Sequence, residues 1–331
     1  MSRLLILAVL GTGIWELTTA TTGNEMERLS SAFLKLEQTL ERGAPASPED
    51  VGELRDAAST IRAMRPETDD AFPAFARTGA VLADLAAELG DYSNDGKLAA
   101  ARETLESIRS ECVRCHLAHR DRNDERDLYP ATRNTIWGRY SIAAMDGEAR
   151  EDRSDVVAFL DAVDGADDTP PSRIRRISQR GRAFSPRVLV IEKGATIAFP
   201  NDDDVFHNAF SRSKAAPFDL GVYGNGTTKY RTFPDPGLVN VYCNIHPDMA
   251  CTILVLDNAH FAKSDSDGYW VMTGIPDGTF LLRTWHRHGG GTEQSVELEG
   301  GAIVRIDETV EEDRRTVPHR NKFGRPYRSK Y

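Results

Sequence analysis

Sulfur is scarce in this chain: 331 residues contain four cysteines and six methionines. So few cysteines exclude a disulfide-dense scaffold, and any that sit beside other metal donors are worth reading as ligands. Basic excess is also missing. Lys and Arg number 41 against 51 Asp and Glu, a formal net charge of -10, and no nucleic-acid partner is expected of such a chain. Beyond the first twenty residues no apolar run approaches the ~20 residues of a membrane span. No H-x-x-E zinc motif occurs either. Hydrophobic content of 40% and charge of 28% are ordinary for a globular protein. The length exceeds the ~250 residues at which single cores stop growing, so two or three domains are expected.

The scarce soft donors are concentrated. Cys243-Asn244-Ile245-His246-Pro247-Asp248-Met249 places a thiolate, an imidazole and a thioether within seven residues, and His207 stands upstream in Phe206-His207-Asn208. Two imidazoles and a thiolate in a plane, with a weak axial thioether, form the donor set of an electron-transferring (type 1) copper. One copper is therefore expected on His207, Cys243, His246 and Met249. Zinc also accepts Cys and His, but the Met weighs against it. A Cys243–Cys251 disulfide would leave His246 and Met249 unexplained. Cys251, within the apolar stretch 251–255, reads as a buried free thiol.

The other two cysteines lie in Cys112-Val113-Arg114-Cys115-His116. This is the C-x-x-C-H pattern in which two thioethers fix a haem and the following His binds its iron. It falls in a region of helical periodicity. Apolar residues recur three and four apart at Met26, Leu29, Phe33, Leu36 and Leu40, then at Val51, Leu54, Ala57, Ile61 and Met64 after a Ser47-Pro48 start. A third segment, 71–89, carries Phe72, Phe75, Val81, Leu82 and Leu85. The fourth, 97–119, carries Leu98, Ala101, Leu105, Ile108, Cys112 and Cys115 on one stripe, with Arg114 facing outward. Four amphipathic helices with short loops predict an antiparallel bundle.

With that motif late in the last helix, residues 24–122 resemble the four-helix cytochromes, cytochrome c-prime and its soluble b-type relatives. The resemblance implies one covalent haem c, attached through Cys112 and Cys115, with His116 as proximal iron ligand. The opening Asn24-Glu25-Met26 is similar to the b-type relatives, which implies Met26 as distal ligand. If Met26 binds, iron is six-coordinate and suits electron transfer; if it is only core, an open position suits a small gas. His119, on the same helix as His116, is a weaker distal candidate.

Downstream, short strand-like runs at 188–191, 196–199, 229–233, 238–243 and 253–256 with Pro/Gly turns predict a Greek-key β-sandwich. The C-x-x-H-x-x-M loop and His207-Asn208 resemble the cupredoxins, amicyanin and plastocyanin among them. The resemblance implies that Asn208 steadies the ligand loop by hydrogen bonds. Residues 265–286 resemble the carboxypeptidase regulatory-like, transthyretin-like β-sandwich, whose name implies no peptidase activity. Asp265 to Gly268 reads as a hairpin turn. His286 and His288 alternate along a strand and read as surface residues, although such a pair could take a metal.

The expected fold class is multidomain α plus all-β: a four-helix bundle, a cupredoxin sandwich and a small second sandwich. The expected divisions are a signal peptide at 1–20, the haem domain at 22–120, a linker at 121–134, the cupredoxin at 135–258, the second sandwich at 259–312 and a basic tail at 313–331. Strands within 135–165 could instead open the second sandwich. Met1-Ser2-Arg3, the apolar run 4–10 and Thr18-Thr19-Ala20 read as a secretory signal, implying periplasmic or other export. Residues 314–331 hold seven Arg or Lys and no acid, a run solvated by default or apt for an acidic partner or membrane surface. A homodimer through the helices is compatible with the pattern.

The expected function is an exported electron-transfer protein, relaying single electrons between haem and copper and between unidentified redox donor and acceptor proteins. No catalytic residue is assigned. One alternative is a small reductase of nitric oxide, nitrite or peroxide with an open haem iron fed by copper. A third is a gas- or copper-binding protein without turnover.

Overall fold

A computed structural model describes residues 21–63, 72–119, 134–144, 148–161, 163, 169–313 and 319–327. The signal expected at 1–20 lies outside them, as does most of the linker. Four helices are followed by β-strands in several sheets. Among the described residues, no helix is long and apolar enough to cross a membrane.

The chain divides into two compact units. The first comprises residues 1–137, 271–277 and 298–306. Its helices are α1 (Thr21–Glu41), α2 (Pro48–Ala63), α3 (Phe72–Asn94) and α4 (Leu98–His119). Their ends follow from local chemistry. Ser47 caps α2 by accepting from the Asp50 N–H at 3.0 Å and donating to its carboxylate at 2.6 Å, with Pro48 at the first helical position. Gly43 and Gly96, at φ +75° and +71°, end α1 and α3 in left-handed turns. There the Ala44 N–H reaches Thr39 C=O and the Lys97 N–H reaches Tyr92 C=O. Each helix packs on the next, and α4 also meets α1. Leu36, Leu54, Ile61, Leu82, Leu89 and Ile108 lie in one buried cluster. Gly79 permits the close approach of α3 to α2: a Cβ there would stand 2.4 Å from the Arg62 nitrogen.

The second unit comprises 138–270, 278–297 and 307–331. A five-stranded sheet runs in the order Val188–Glu192, Ala250–Leu256, Gly237–Tyr242, His207–Ser211, Phe218–Tyr223. A three-stranded sheet runs Thr228–Thr232, Thr196–Pro200, Arg175–Arg176. Side chains of both sheets, including Ile197, Phe199, Val241, Ile253 and Val255, share one core.

Strand alternation explains why 188–191 and 253–256 are apolar throughout. Leu189, Ile191, Ile253 and Val255 join that core, while Val188, Val190, Leu254 and Leu256 pack with Val157, Phe159, Phe261 and Trp285 on the other face. Strand Val157–Leu160 pairs antiparallel with both Phe261–Lys263 and the end of Gly278–Trp285. Strands that precede and follow 169–258 in sequence thus share a sheet. Asp265 makes a turn, its Oδ1 accepting from the N–H groups of Asp267 and Tyr269, but not the expected hairpin: the strands on either side, Phe261–Lys263 and Tyr269–Ile275, belong to different sheets.

Candidate metal centre

His207 opens an edge-side strand, and Cys243 follows directly on the neighbouring strand Gly237–Tyr242, to which His207–Ser211 is paired. The loop 243–249 closes on itself. The Cys243 N–H donates to Met249 C=O, and the Met249 N–H donates to His246 C=O, both at 3.2 Å. The Ile245 N–H points at the Cys243 sulfur at 3.4 Å. His207, Cys243 and Met249 are buried, and His246 is partly exposed.

The donor atoms of His207, Cys243 and His246 lie within 4.8 Å of one another. The two Nδ1 atoms are 3.1 Å apart, and Cys243 Sγ is 3.7 Å from His246 Nδ1. Those separations can be tested against one ion. With metal–nitrogen and metal–sulfur bonds of about 2.0 and 2.3 Å, they subtend about 100° and about 120°, the spread of a distorted trigonal plane. Both separations therefore suit bonds from one ion, and the third pair, His207 and Cys243, lies within the 4.8 Å of the group. Met249, 1% exposed, supplies a thioether from the same loop. Two imidazoles, one thiolate and a thioether suit copper in both its oxidation states.

His207 is oriented from behind. Its Nε2 lies 2.7 Å from Asp203 Oδ2, so that nitrogen carries the proton and Nδ1 keeps its lone pair for the ion. Asp203 is itself anchored by a two-residue hairpin turn. The Gly181 and Arg182 N–H groups donate to its carboxylate at 2.7 and 2.8 Å, and both residues have positive φ. Burial pushes the Asp203 carboxyl up, but the Arg182 N–H, the His207 ring and the Gly181 N–H outweigh it and hold the group at about 2. His246 is shifted down, first by burial and then by His207. Both effects keep a neutral imidazole available as a donor.

Asn208 bridges the supporting strand and the ligand loop. Its amide donates to Asp219 Oδ1 and Gly221 C=O, while its Oδ1 accepts from the Asn244 N–H at 3.3 Å. The tail contributes as well, and this differs from the solvated run expected of it. Tyr327 Oη–H donates to Cys243 C=O at 2.8 Å, and the Lys322 N–H donates to Asn244 Oδ1 at 3.1 Å. The Lys322 ammonium meets Asp219 at 2.7 Å. His319 stacks on Tyr242 with ring centroids 4.1 Å apart. Residues 319–327 are thus a strap along the ligand loop. Aromatic rings at 319 and 327 share these contacts with Lys322. Asp203 was passed over because an acidic loop is ordinary surface; only its i−4 spacing from His207 hinted at a role.

The C-x-x-C-H residues lie in α4, with Cys112 and Cys115 one turn apart and His116 next to Cys115. Cys112 packs against the helical core, and Cys115 is 6% exposed. Burial, then Cys115 and Glu111, push the Cys112 thiol up to about 12. That setting opposes a thiolate metal site and is compatible with neutral thioethers. Arg114 does not face outward as expected: its side chain is 12% exposed and paired with Glu111 one turn back. The side chains of Met26 and His119 lie outside the described residues. Cys251 is a buried free thiol beside the ligand loop, and Cys243 is also free.

No protein-family model and no curated protein matches the chain. Among solved structures it is similar to a purple cupredoxin from Nitrosopumilus maritimus (25% identity, 24% of this chain and 98% of that one, TM-score 0.23). It is also similar to a copper-containing nitrite reductase from Thermus scotoductus SA-01 (29% identity, 30% of this chain, TM-score 0.26). The match spans 26% of that reductase. A reduced amicyanin variant aligns at 17% identity over 30% of this chain and 97% of its own, with TM-score 0.23.

Proposed function

We propose that this chain is an exported single-electron carrier. Its copper is held by His207, Cys243, His246 and Met249 in a cupredoxin sandwich. A c-type haem is attached at Cys112 and Cys115 in an antiparallel four-helix bundle, with His116 on its iron and Met26 as the second axial ligand. The observation that carries the reading is the convergence of the His207, Cys243 and His246 donor atoms, two of whose separations suit bonds to one ion.

Copper in such a donor set supplies one-electron transfer with little change of geometry. The protein's part is to hold the donors still and dry. Asp203 fixes the His207 ring, Asn208 ties the ligand loop to its supporting strand, and Tyr327 braces the backbone of Cys243. His246 is the partly exposed ligand, flanked in the chain by Ile245, 42% exposed. Redox partners would meet that side of the site. No residue is assigned to bond-making chemistry, so the reading is a carrier rather than an enzyme.

The test is the visible spectrum of the purified protein, oxidised and reduced, with carbon monoxide added to the reduced form. An intense thiolate-to-copper band, lost in Cys243→Ser, together with a low-spin haem spectrum unmoved by carbon monoxide, is expected. Absence of the thiolate band in copper-loaded protein overturns the copper assignment. A haem that shifts with carbon monoxide removes Met26 as ligand and makes the reductase reading the better one.

A further inference from the structure

The strap along the ligand loop does more than brace it. Residues 319–327 are tied down at three points, by Tyr327 on Cys243 C=O, by the Lys322 N–H on Asn244 Oδ1 and by the His319–Tyr242 stack. Between these ties Asn321 closes a tight turn. Its Oδ1 accepts from the N–H groups of Phe323 and Arg325, and its C=O accepts from the Gly324 N–H. The turn holds Phe323 out in solvent, 71% exposed, with Arg320 and Arg325 exposed on either side of it in the chain. A ring so exposed on a segment so firmly tied is not there to fill a core.

Charge points the same way. The Lys322 ammonium is engaged by Asp219. Arg320 donates to Gly324 C=O, and among the described residues neither Arg320 nor Arg325 has a carboxylate partner. Arg212, also exposed, lies against the strap: a Cβ on Gly324 would stand 2.5 Å from its Nη1. Across the site the exposed Arg182 gives its N–H to Asp203, the carboxylate behind His207. Among the described residues these two guanidinium groups have no carboxylate partner either. Of the nearby acids, Asp203 and Asp219 are held by the contacts already given, and Asp202 is paired with Arg176. Asp204 and Asp248 are exposed and have no cation partner among the described residues. The surroundings of the ligand loop are thus basic on balance, in a chain whose net charge is -10.

We infer that the strap is a docking lobe for an acidic protein surface, with Arg320 and Arg325 meeting its carboxylates and Phe323 packing between them, beside Ile245 and His246. The inference rests on the proposed reading of that side of the site as the place where electrons pass. Guanidinium groups pair with carboxylates through two parallel hydrogen bonds. Arg and aromatic residues are enriched in protein interfaces and Lys is depleted, so a lobe of Arg and Phe suits a protein better than a lipid headgroup layer. Its charge would steer such a partner to the ligand loop of an otherwise acidic molecule.

A fluorescent polyglutamate peptide is the probe, its anisotropy followed as the full copper-loaded chain is added. Wild-type protein is expected to bind it at low ionic strength and to release it as salt is raised. Arg320→Glu/Arg325→Glu should lose about tenfold or more in affinity, because like charge then faces the peptide. Arg55→Glu/Arg62→Glu, which makes the same change of net charge in α2, should bind as wild type does. Equal losses in the two variants, or no binding by wild type, overturn the inference. Binding of wild type to phosphatidylglycerol vesicles but not to the peptide also overturns it, and assigns the lobe to a membrane. Ferricyanide, a trianion, carries the test to the metal: its oxidation of the cuprous protein, read as growth of the thiolate-to-copper band, should slow about threefold or more in the strap variant alone. Peptide binding needs no copper, so the two readings fail separately. A chain without the thiolate band whose peptide binding still depends on Arg320 and Arg325 defeats the copper assignment and upholds the lobe, whereas a normal band with no such dependence defeats the lobe alone. All four substituted side chains are exposed, so both variants should fold, as circular dichroism verifies.

Discussion

Replacing Asp203 by Asn removes one negative charge from behind His207, the proposed copper ligand, while keeping the size of the side chain. The charge favours the more positive oxidation state, so its loss should raise the reduction potential. The magnitude follows from distance. An ion–nitrogen bond of about 2.0 Å, the width of the imidazole ring and the 2.7 Å hydrogen bond place the carboxylate about 7 Å from the ion. At an effective dielectric of about 20 the interaction is about 2.4 kcal/mol. For one electron that is about 100 mV. Partial exposure of the site makes this an upper figure, and about 50 mV is the expected order for an effective dielectric of about 40. With its amide oxygen in the Oδ2 position, Asn can still accept from the Arg182 N–H and from His207 Nε2–H, so the hairpin should hold the side chain near its place. Cyclic voltammetry of wild type and Asp203→Asn supplies the number, and the thiolate-to-copper band reports whether the site geometry survives. A preserved band with an unchanged or lowered potential would refute the argument that Asp203 tunes the ion through His207.

Tyr327→Phe deletes one partly buried hydrogen bond to the Cys243 carbonyl. Such a bond is worth about 1 kcal/mol, so copper release to a chelator should accelerate about fivefold; an unchanged rate would mean the strap does not brace the loop. The strap should also be pH-sensitive. Burial raises the Asp219 carboxyl, but Lys322, the Gly221 N–H and Asn208 outweigh it and leave it below its ordinary 3.8. A depressed folded value means stability that is present above the ordinary value and lost as pH falls through the folded one. Hydrogen exchange at 319–327 should therefore be slow at neutral pH and rise below about pH 4, and protection that persists to about pH 2 would contradict this. In the helices, Gly79→Ala pushes a methyl to 2.4 Å from the Arg62 nitrogen and 2.7 Å from the Ala58 carbonyl oxygen. Backbone cannot yield as a side chain does, so a loss of about 1–3 kcal/mol in denaturant unfolding is expected, against the gain that Gly→Ala usually brings to a helix.

The helices and the ligand loop were legible because their signals are local. Period-3.6 apolar spacing put Leu36, Leu54, Leu82 and Ile108 in one core, and seven consecutive residues carried three of the four proposed copper donors. α3 ran on past the expected end at 89 because nothing at Gly90 stops a helix, and the stop came at Gly96, where the left-handed turn is made. Strand positions in the metal-bearing region were readable from alternation and turns. Their partners were not, since pairing is a long-range choice: nothing in Val157–Leu160 itself says that it will lie beside residues 261–263 and 282–285.

What stayed hidden around the proposed copper site has one physical character. Ligand residues announce themselves by chemistry, whereas the groups that hold them still are ordinary residues made special by position. Asp203 is one acid in an acidic loop until a hairpin about twenty residues earlier aims two N–H groups at it. Tyr327 is one aromatic in a basic tail until its hydroxyl meets the Cys243 carbonyl, 84 residues back. A short loop that must present three donors to one ion has few internal hydrogen bonds available, because its backbone is spent on the turn. Rigidity has to come from elsewhere in the chain. Asn208 supplies it from the paired strand, and residues 319–327 supply it from beyond the last strand. The loop's shortness and its remote bracing are thus two sides of one requirement: donors close in sequence, fixed by partners far away in it.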